Sequence, residues 1–343
     1  MSSTAWLPRK WSRATRIVRH RTVPHALILM YHRVTRLESD PHLLAVTPEN
    51  FASQLEVLRR RVSVIPLSDL AGRLQEGRVP RRTVVVTFDD GYADNLHEAK
   101  PLLERFEVPA TVFVTAGHVG SDEEPWWDEL DRILLQPGDL PSTLHLDGVA
   151  WELGPSAEYT PADRRRDRDW HIEREDAPTA RHRLFLELFD RLLTCDGEGK
   201  RRILEHLRAW AGLGTAGRAS HRTLNVDELS RLREPGLIEI GAHSMTHPAL
   251  EHLSEGEQRH EVERSKVRLE ELLGTPVTSF AFPHGSCGDR TRRIVADAGF
   301  ACACDSRSEP VWRSADRLRL PRVCVRDWDA DAFTRWFTWW MDG

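Results

Sequence analysis

The sequence predicts an α/β fold built on a parallel sheet or barrel and interrupted by a mainly helical insertion. Short apolar, β-branched runs alternate with helix-patterned stretches from residue 26 to about 120. The alternation stops near 121 and resumes near 223. The polar clusters fall at the ends of the apolar runs, where parallel-sheet and barrel enzymes place their sites.

Composition bounds the rest. The 343 residues are 40% hydrophobic and 29% charged, enough for a sizeable core. A net charge of −5 and a pI near 6.4 exclude general nucleic-acid binding as an expectation. Only four of the 48 basic residues are lysine (Lys10, Lys100, Lys200 and Lys266), a skew that reads as coding bias. Five cysteines without a framework argue against a disulfide-stapled secreted domain, and Cys302-x-Cys304 reads as buried thiols. No apolar run approaches the roughly 20 residues that span a bilayer. The N-terminus is basic but lacks the apolar stretch of a signal peptide, so the expected location is the cytoplasm.

Residues 1–24 form a separate basic arm. Leu7, Trp11, Ala14 and Val18 follow helical spacing with Arg9, Lys10, Arg13 and Arg16 between them. Such a helix can lie on an anionic membrane or dock on its own protein, which raises peripheral contact with the inner membrane face as an expectation. The barrel is assigned to 25–343, with the insertion at 121–222. Residues 26–31 are a buried strand, 47–60 a helix with Thr47 as cap and Pro48 at its first position, and 62–67 a strand before another helix. Residues 83–88 are a β-branched strand, 95–106 a helix and 110–115 a strand. In the insertion, helices are expected after Pro125-Trp126-Trp127-Asp128, around Leu184–Leu192 and around Ile203–Trp210, and the Arg-rich run 164–168 reads as a solvated face. Alternation resumes with a helix at 226–233, a strand at 237–240, a helix at 255–273, a strand at 277–282, a helix at 290–298, and strands near 300–304 and 318–325. Trp336, Phe337, Trp339 and Trp340 read as a terminal helix packed on the barrel.

Three polar clusters sit at strand ends. Asp89-Asp90 follows the 83–88 strand, and Gly91 permits a tight departure. Adjacent carboxylates in a turn point different ways, so one can bind a metal while the other faces substrate. His243 and His247, at i and i+4, share one face of a helical turn, a common geometry for one metal ion. With a strand-terminal Asp they make a three-ligand site with open positions, the arrangement of a catalytic metal. Phe282-Pro283-His284-Gly285 is a loop at a third strand end and is uninformative alone.

Taken together and in this order, these residues resemble the polysaccharide deacetylase family, the NodB-like carbohydrate esterases. Thr87-Phe88-Asp89-Asp90-Gly91 matches the TFDDG motif and His243-Ser244-Met245-Thr246-His247 the H-S/T-x-x-H motif. Phe280-Ala281-Phe282-Pro283-His284-Gly285 is similar to the FAYPYG loop of the exopolysaccharide branch. The resemblance implies a distorted (β/α) barrel and a metal-dependent hydrolase removing N-acetyl groups from amino sugars of a polysaccharide or lipid-linked glycan. It implies Asp89 as general base and Asp90, His243 and His247 as ligands of a divalent metal, Zn²⁺ first, with Co²⁺ or Ni²⁺ as the other candidates. A backbone N–H in the Asp–Gly turn is expected to help hold the oxyanion.

The family's late Leu-x-His acid is missing: no His follows His284, and the last strand reads Leu318-Arg319-Leu320-Pro321-Arg322-Val323. The first strand ends Tyr31-His32, and first and last strands of a closed barrel can be neighbours. His32 is therefore the expected general acid, as in a circularly permuted branch of the family, with a pKa near 6.5 suited to proton transfer. Arg322 stands in for the arginine that orients the base. It joins Pro283, His284, Trp126 and Trp127 as the expected substrate-facing residues. The alternatives are a deformylase or deacetylase of a lipid-linked sugar at the inner membrane face and an inactive glycan-binding barrel.

Overall fold

The computed structural model describes residues 22–234 and 236–342; the arm at 1–24 lies outside them except for its last three residues. Nine strands form one sheet: β1 (His25–Tyr31), β2 (Ser63–Val64), β3 (Thr83–Phe88), β4 (Ala110–Val114), β5 (Ile238–Ala242), β6 (Ser279–Ala281), β7 (Cys302–Cys304), β8 (Val311–Trp312) and β9 (Val323–Cys324). Their order is β7-β6-β5-β4-β3-β1-β8, with β2 on β3 and β9 on β1. Only β8 runs antiparallel to its neighbour. β1, β3 and β4 are buried along their whole length, the pattern of strands covered on both faces.

The sheet curls toward closure through one late segment. Leu320 donates its N–H to the Ala303 carbonyl (2.8 Å) and accepts from the Asp305 N–H (2.9 Å), which joins it to β7. Three residues on, Val323 and Cys324 pair with Leu29 and Met30 of β1. The strand expected over 318–325 contracts to β9 because Pro321 has no N–H for the ladder. The result is a distorted (β/α) barrel. Helices Pro48–Arg61, Lys100–Phe106, Val226–Arg233 and Glu255–Leu273 cover it through residues such as Phe51, Leu55, Leu103, Leu229, Val262 and Leu269, all fully buried. Each such side chain contributes about 1.5–3 kcal/mol of transfer free energy. The helix Ala330–Asp342 packs on the barrel as expected, with Phe337 and Trp340 in the core and Trp336 against it; Phe333 joins them, whereas Trp339 is exposed. Thr47 does not cap its helix; its hydroxyl donates instead to Asp327 (2.8 Å), tying that helix to the chain just after β9.

The insertion has its own core, in which Trp126, Leu130, Phe185, Leu188, Ile203 and Leu207 meet. Helices Trp126–Leu134, Ala180–Thr194 and Gly197–Ala211 match expectation. The lobe is mainly helical, as expected, and also carries a β-hairpin formed by Thr143–Leu146 and Val149–Glu152. Its turn is Asp147-Gly148, both at positive φ (48° and 79°), the backbone that a two-residue hairpin requires. A buried ion network fixes the lobe's entry and exit: Arg218 donates to Glu124 (2.9 Å) and Asp131 (2.6 Å). Among the described residues no helix is long and apolar enough to cross a membrane.

Candidate metal centre and active site

Strand register brings the polar clusters together. Tyr31 pairs with Phe88, and the Asp89 N–H donates to the Tyr31 carbonyl (3.0 Å), so His32 and Asp89 leave adjacent strands at one level. Ala242 pairs with both Val114 and Phe280, which puts His243 and Phe282 on the same rim. Asp90 adopts φ 71° and Gly91 φ 75°, so two successive left-handed residues turn the chain sharply and send the neighbouring carboxylates apart. A Cβ on Gly91 would stand 3.0 Å from Val114 Cγ1, so glycine is demanded by both conformation and space. The Gly91 N–H donates to the Asp89 carbonyl (2.9 Å), so this amide of the turn is not free for an oxyanion.

Asp90, His243 and His247 converge, with one ligand atom from each within 4.8 Å of the others, all buried. Asp90 Oδ1 lies 3.6 Å from His243 Nε2 and 3.3 Å from His247 Nε2, and makes no hydrogen bond. The His243 Nδ1 lies 2.8 Å from the Ala281 carbonyl; a proton assigned to Nδ1 leaves the Nε2 lone pair facing Asp90. Burial raises the Asp90 carboxyl, and burial together with His243 pushes His247 well below an ordinary imidazole. Two imidazoles and an orphaned carboxylate oxygen, shut away from water, are a donor set that a divalent cation satisfies.

The histidine pair does not lie on a helical turn. Residues 243–249 are a loop after β5, with Ser244 at φ 60° and His247 at φ 55°. Glu261, from the helix Glu255–Leu273, accepts the N–H groups of Met245 (2.8 Å) and Thr246 (2.9 Å) and the Thr246 hydroxyl (2.7 Å). The loop is therefore organised by a carboxylate, and the rings meet by a left-handed turn instead of helical spacing.

Asp89 is held separately. Arg322 donates to its two oxygens at 2.6 and 2.7 Å, and to the Asp305 carbonyl at 3.0 Å. Burial alone would raise the Asp89 carboxyl, but the guanidinium outweighs it and keeps the group well below the usual carboxylate range. Arg322 thus takes the place expected of the arginine that orients Asp89, because the closing segment delivers it beside β3; its fork is engaged there, although the residue also lines the cavity. His32 faces the same two carboxylates: burial lowers its imidazole, and Asp90 and Asp89 partly offset this. Its backbone is fixed by Asn95, whose amide donates to the His32 carbonyl (2.9 Å) from a π-helical turn at Asn95–Ala99.

A cavity of about 370 Å³ opens over these groups and includes His32, Asp89, Asp90, His243, His247 and Arg322 in its wall. Trp127 and His284 also line it, each with its ring centroid 4.4 Å from that of His247. Trp126 does not. Successive helical residues point about 100° apart, so Trp126 turns into the lobe core against Phe189 (5.1 Å). Pro283 is buried and does not line the cavity; it opens the turn in which His284 adopts φ 56°. The Arg-rich run is partly a wall as well: Arg164, Arg165 and Arg168 border a separate surface cavity.

Sequence reasoning missed His42, Phe189, Arg326 and Lys200. The first three line the cavity, and Lys200 donates to the His247 carbonyl (3.1 Å). A lone His in a loop carries no signal. Lys200 carried one, as one of four lysines in an arginine-rich chain.

The polysaccharide deacetylase family model matches residues 76–140 and 210–303. By that match the chain carries a polysaccharide deacetylase domain. The match breaks across most of the inserted lobe and spans the motifs of β3, β5 and β6. Poly-beta-1,6-N-acetyl-D-glucosamine N-deacetylase of Staphylococcus aureus (strain MSSA476) is 28% identical over 110 residues, covering 28% of this chain and 38% of the relative. The protein of the same name from Staphylococcus epidermidis is 32% identical over 111 residues, with the same coverage. The matched stretch thus spans 38% of the length of these curated relatives. The fold matches the Streptococcus pyogenes deacetylase PplD in complex with acetate, at TM-score 0.58 and 16% identity over 92% of this chain and 98% of that one. It also matches IcaB from Ammonifex degensii, at TM-score 0.57 and 19% identity over 93% and 97%.

Proposed function

We propose that this protein is a metal-dependent hydrolase that removes N-acetyl groups from amino sugars of a polysaccharide or lipid-linked glycan. The observation that supports it most is the meeting of Asp90, His243 and His247 beside an ionised, arginine-held Asp89 and an imidazole, His32, in one cavity. The names of the curated relatives support poly-N-acetylglucosamine as a first substrate to try. An inactive glycan-binding barrel would be expected to have lost one of these groups, and all are present.

Asp90, His243 and His247 would hold a divalent ion, which would supply Lewis acidity toward the amide carbonyl and lower the pKa of a nearby water. Asp89, ionised at neutral pH, takes a proton from the water; its two oxygens keep lone pairs free beyond those bound by Arg322. Arg322 prevents the carboxylate from rotating toward the ligand cluster, since His243 Nε2 is only 3.9 Å from its Oδ2. His32 delivers a proton to the nitrogen as the carbon–nitrogen bond breaks, so that acetate and a free amine leave. Trp127 and Phe189 exclude water from one side of the cavity.

The experiment is acetate release from N-acetylated β-1,6-glucosamine oligosaccharides by the Zn²⁺-loaded protein. Asp89→Asn is expected to abolish turnover while retaining bound metal; full turnover in that variant would refute the role of the base. Membrane contact through residues 1–24 belongs to the same proposal, and co-sedimentation with anionic vesicles, with and without those residues, checks it.

A further inference from the structure

We propose that Lys200, carried by the inserted lobe, is a positioning residue for His247, so that the lobe is a working part of the metal centre and not a lid over it. This rests on the reading of Asp90, His243 and His247 as ligands of one metal.

The two histidines are aimed by different means. His243 is oriented by the Ala281 carbonyl on its Nδ1. His247 Nδ1 is buried and finds no hydrogen-bond partner, so the direction of its ring is left to backbone and packing. That backbone is at φ 55°, a left-handed conformation that costs a non-glycine residue about 1–2 kcal/mol and persists only where its surroundings over-determine it. Two clamps do so. The Ser244 hydroxyl accepts the His247 N–H at 3.0 Å, and Lys200 Nζ donates to the His247 carbonyl at 3.1 Å. Together they fix the peptide on both sides of the ligand.

Lys200 is an unfavourable residue to put there for any lesser reason. It is 4% exposed, and burying an ammonium is costly. It lies in the first turn of the helix Gly197–Ala211, where the helix dipole disfavours a cation. It also approaches a site for another cation. Burial lowers its pKa to about 8, with Glu261 partly offsetting the effect. Trp126 accommodates the ammonium over its ring, 5.2 Å from the centroid. A lysine suits one carbonyl better than arginine does, because its donors rotate about a single point. The lobe touches the same loop twice more: a Cβ on Gly197 would stand 3.3 Å from Thr246 Oγ1, and the Trp127 ring centroid is 4.4 Å from that of His247.

The test is Zn²⁺ affinity of the full chain, measured by competition with a chromogenic chelator. Wild-type protein is expected to bind one equivalent; no binding would overturn the ligand reading and this one with it. Lys200→Met keeps the apolar stem and removes the donor. At matched melting temperature of the metal-free proteins, its affinity is expected to fall 10- to 100-fold, the usual effect of losing a residue that orients a ligand. An affinity within twofold of wild type overturns the proposal while leaving the ligand set intact. If Lys200→Met does not fold, hydrogen exchange on wild type decides. Zn²⁺ is expected to slow exchange at least tenfold both in 243–249 and in the helix 197–211, because coupling between two elements is reciprocal. Protection confined to 243–249 overturns it.

Discussion

Arg322 grips Asp89 through both carboxylate oxygens, at 2.6 and 2.7 Å, across a sequence separation of 233 residues, and both side chains are buried. The pair is planar recognition that lysine cannot reproduce. It keeps a buried carboxylate charged at neutral pH, as a general base must be. Arg322→Met is expected to lower kcat/KM at least 100-fold and to move the acidic limb of the pH–rate profile upward. The sign follows from burial: without its counter-charge Asp89 is left with the desolvation that raises its pKa. The same variant should lose about 3–5 kcal/mol in urea unfolding, the cost of stranding one member of a buried pair.

His32→Gln separates proton donation from binding. With an N-acetyl sugar, kcat is expected to fall by about 10² to 10⁴ while KM changes little. With an acetate ester of 4-nitrophenol, whose leaving group departs unprotonated, the loss should nearly vanish. An equal loss on both substrates would remove His32 from the acid role.

Gly91→Ala places a methyl group at φ 75° and 3.0 Å from Val114 Cγ1. A destabilisation of about 1–2 kcal/mol is expected from the backbone alone. Because the same turn aims Asp89 and Asp90, metal affinity should fall with it. Urea midpoints and chelator competition read the two effects separately.

Stability should depend on pH through the lobe. Burial pushes His182 down to about 4, where it sits against Trp170 at 4.5 Å. An unfolded imidazole binds its proton near 6.5, so this contribution is complete above pH 6.5 and is lost as pH falls toward 4, by up to about 1.4 kcal/mol per pH unit. Asp128 runs the other way: burial raises it to about 7, so its contribution is lost as pH rises from 3.8 to 7. The melting temperature of wild type, measured against His182→Gln, should therefore fall between pH 6.5 and 4.5. A constant difference across that range would contradict the assignment.

The framework was legible because buried parallel strands leave a strong local trace. The runs at β1, β3 and β4 are apolar and β-branched, and each polar cluster follows one of them. His32 was reachable by a topological argument, and the pairing of Leu29 with Val323 supplies the neighbour relation that it needs. Failures came where spacing stood in for backbone conformation. His243 and His247 have helical spacing but meet through φ values of 60° at Ser244 and 55° at His247, set by Glu261 from another element. The Asp147-Gly148 hairpin was a readable signal passed over because helical patterns flank it. Trp126 and Trp127 are indistinguishable in sequence; only the rotation of their helix sends one to the cavity and the other to the lobe core.

Closure of the sheet by 317–325 has a consequence for biogenesis. The proposed ligands Asp90, His243 and His247 belong to the first 250 residues, yet the guanidinium that keeps Asp89 charged arrives only with residue 322. A chain still emerging from the ribosome would hold a cation site but no competent base. On the proposed reading, proton abstraction waits until the 317–325 segment docks beside β1, so the order of synthesis sets the order in which the site is assembled.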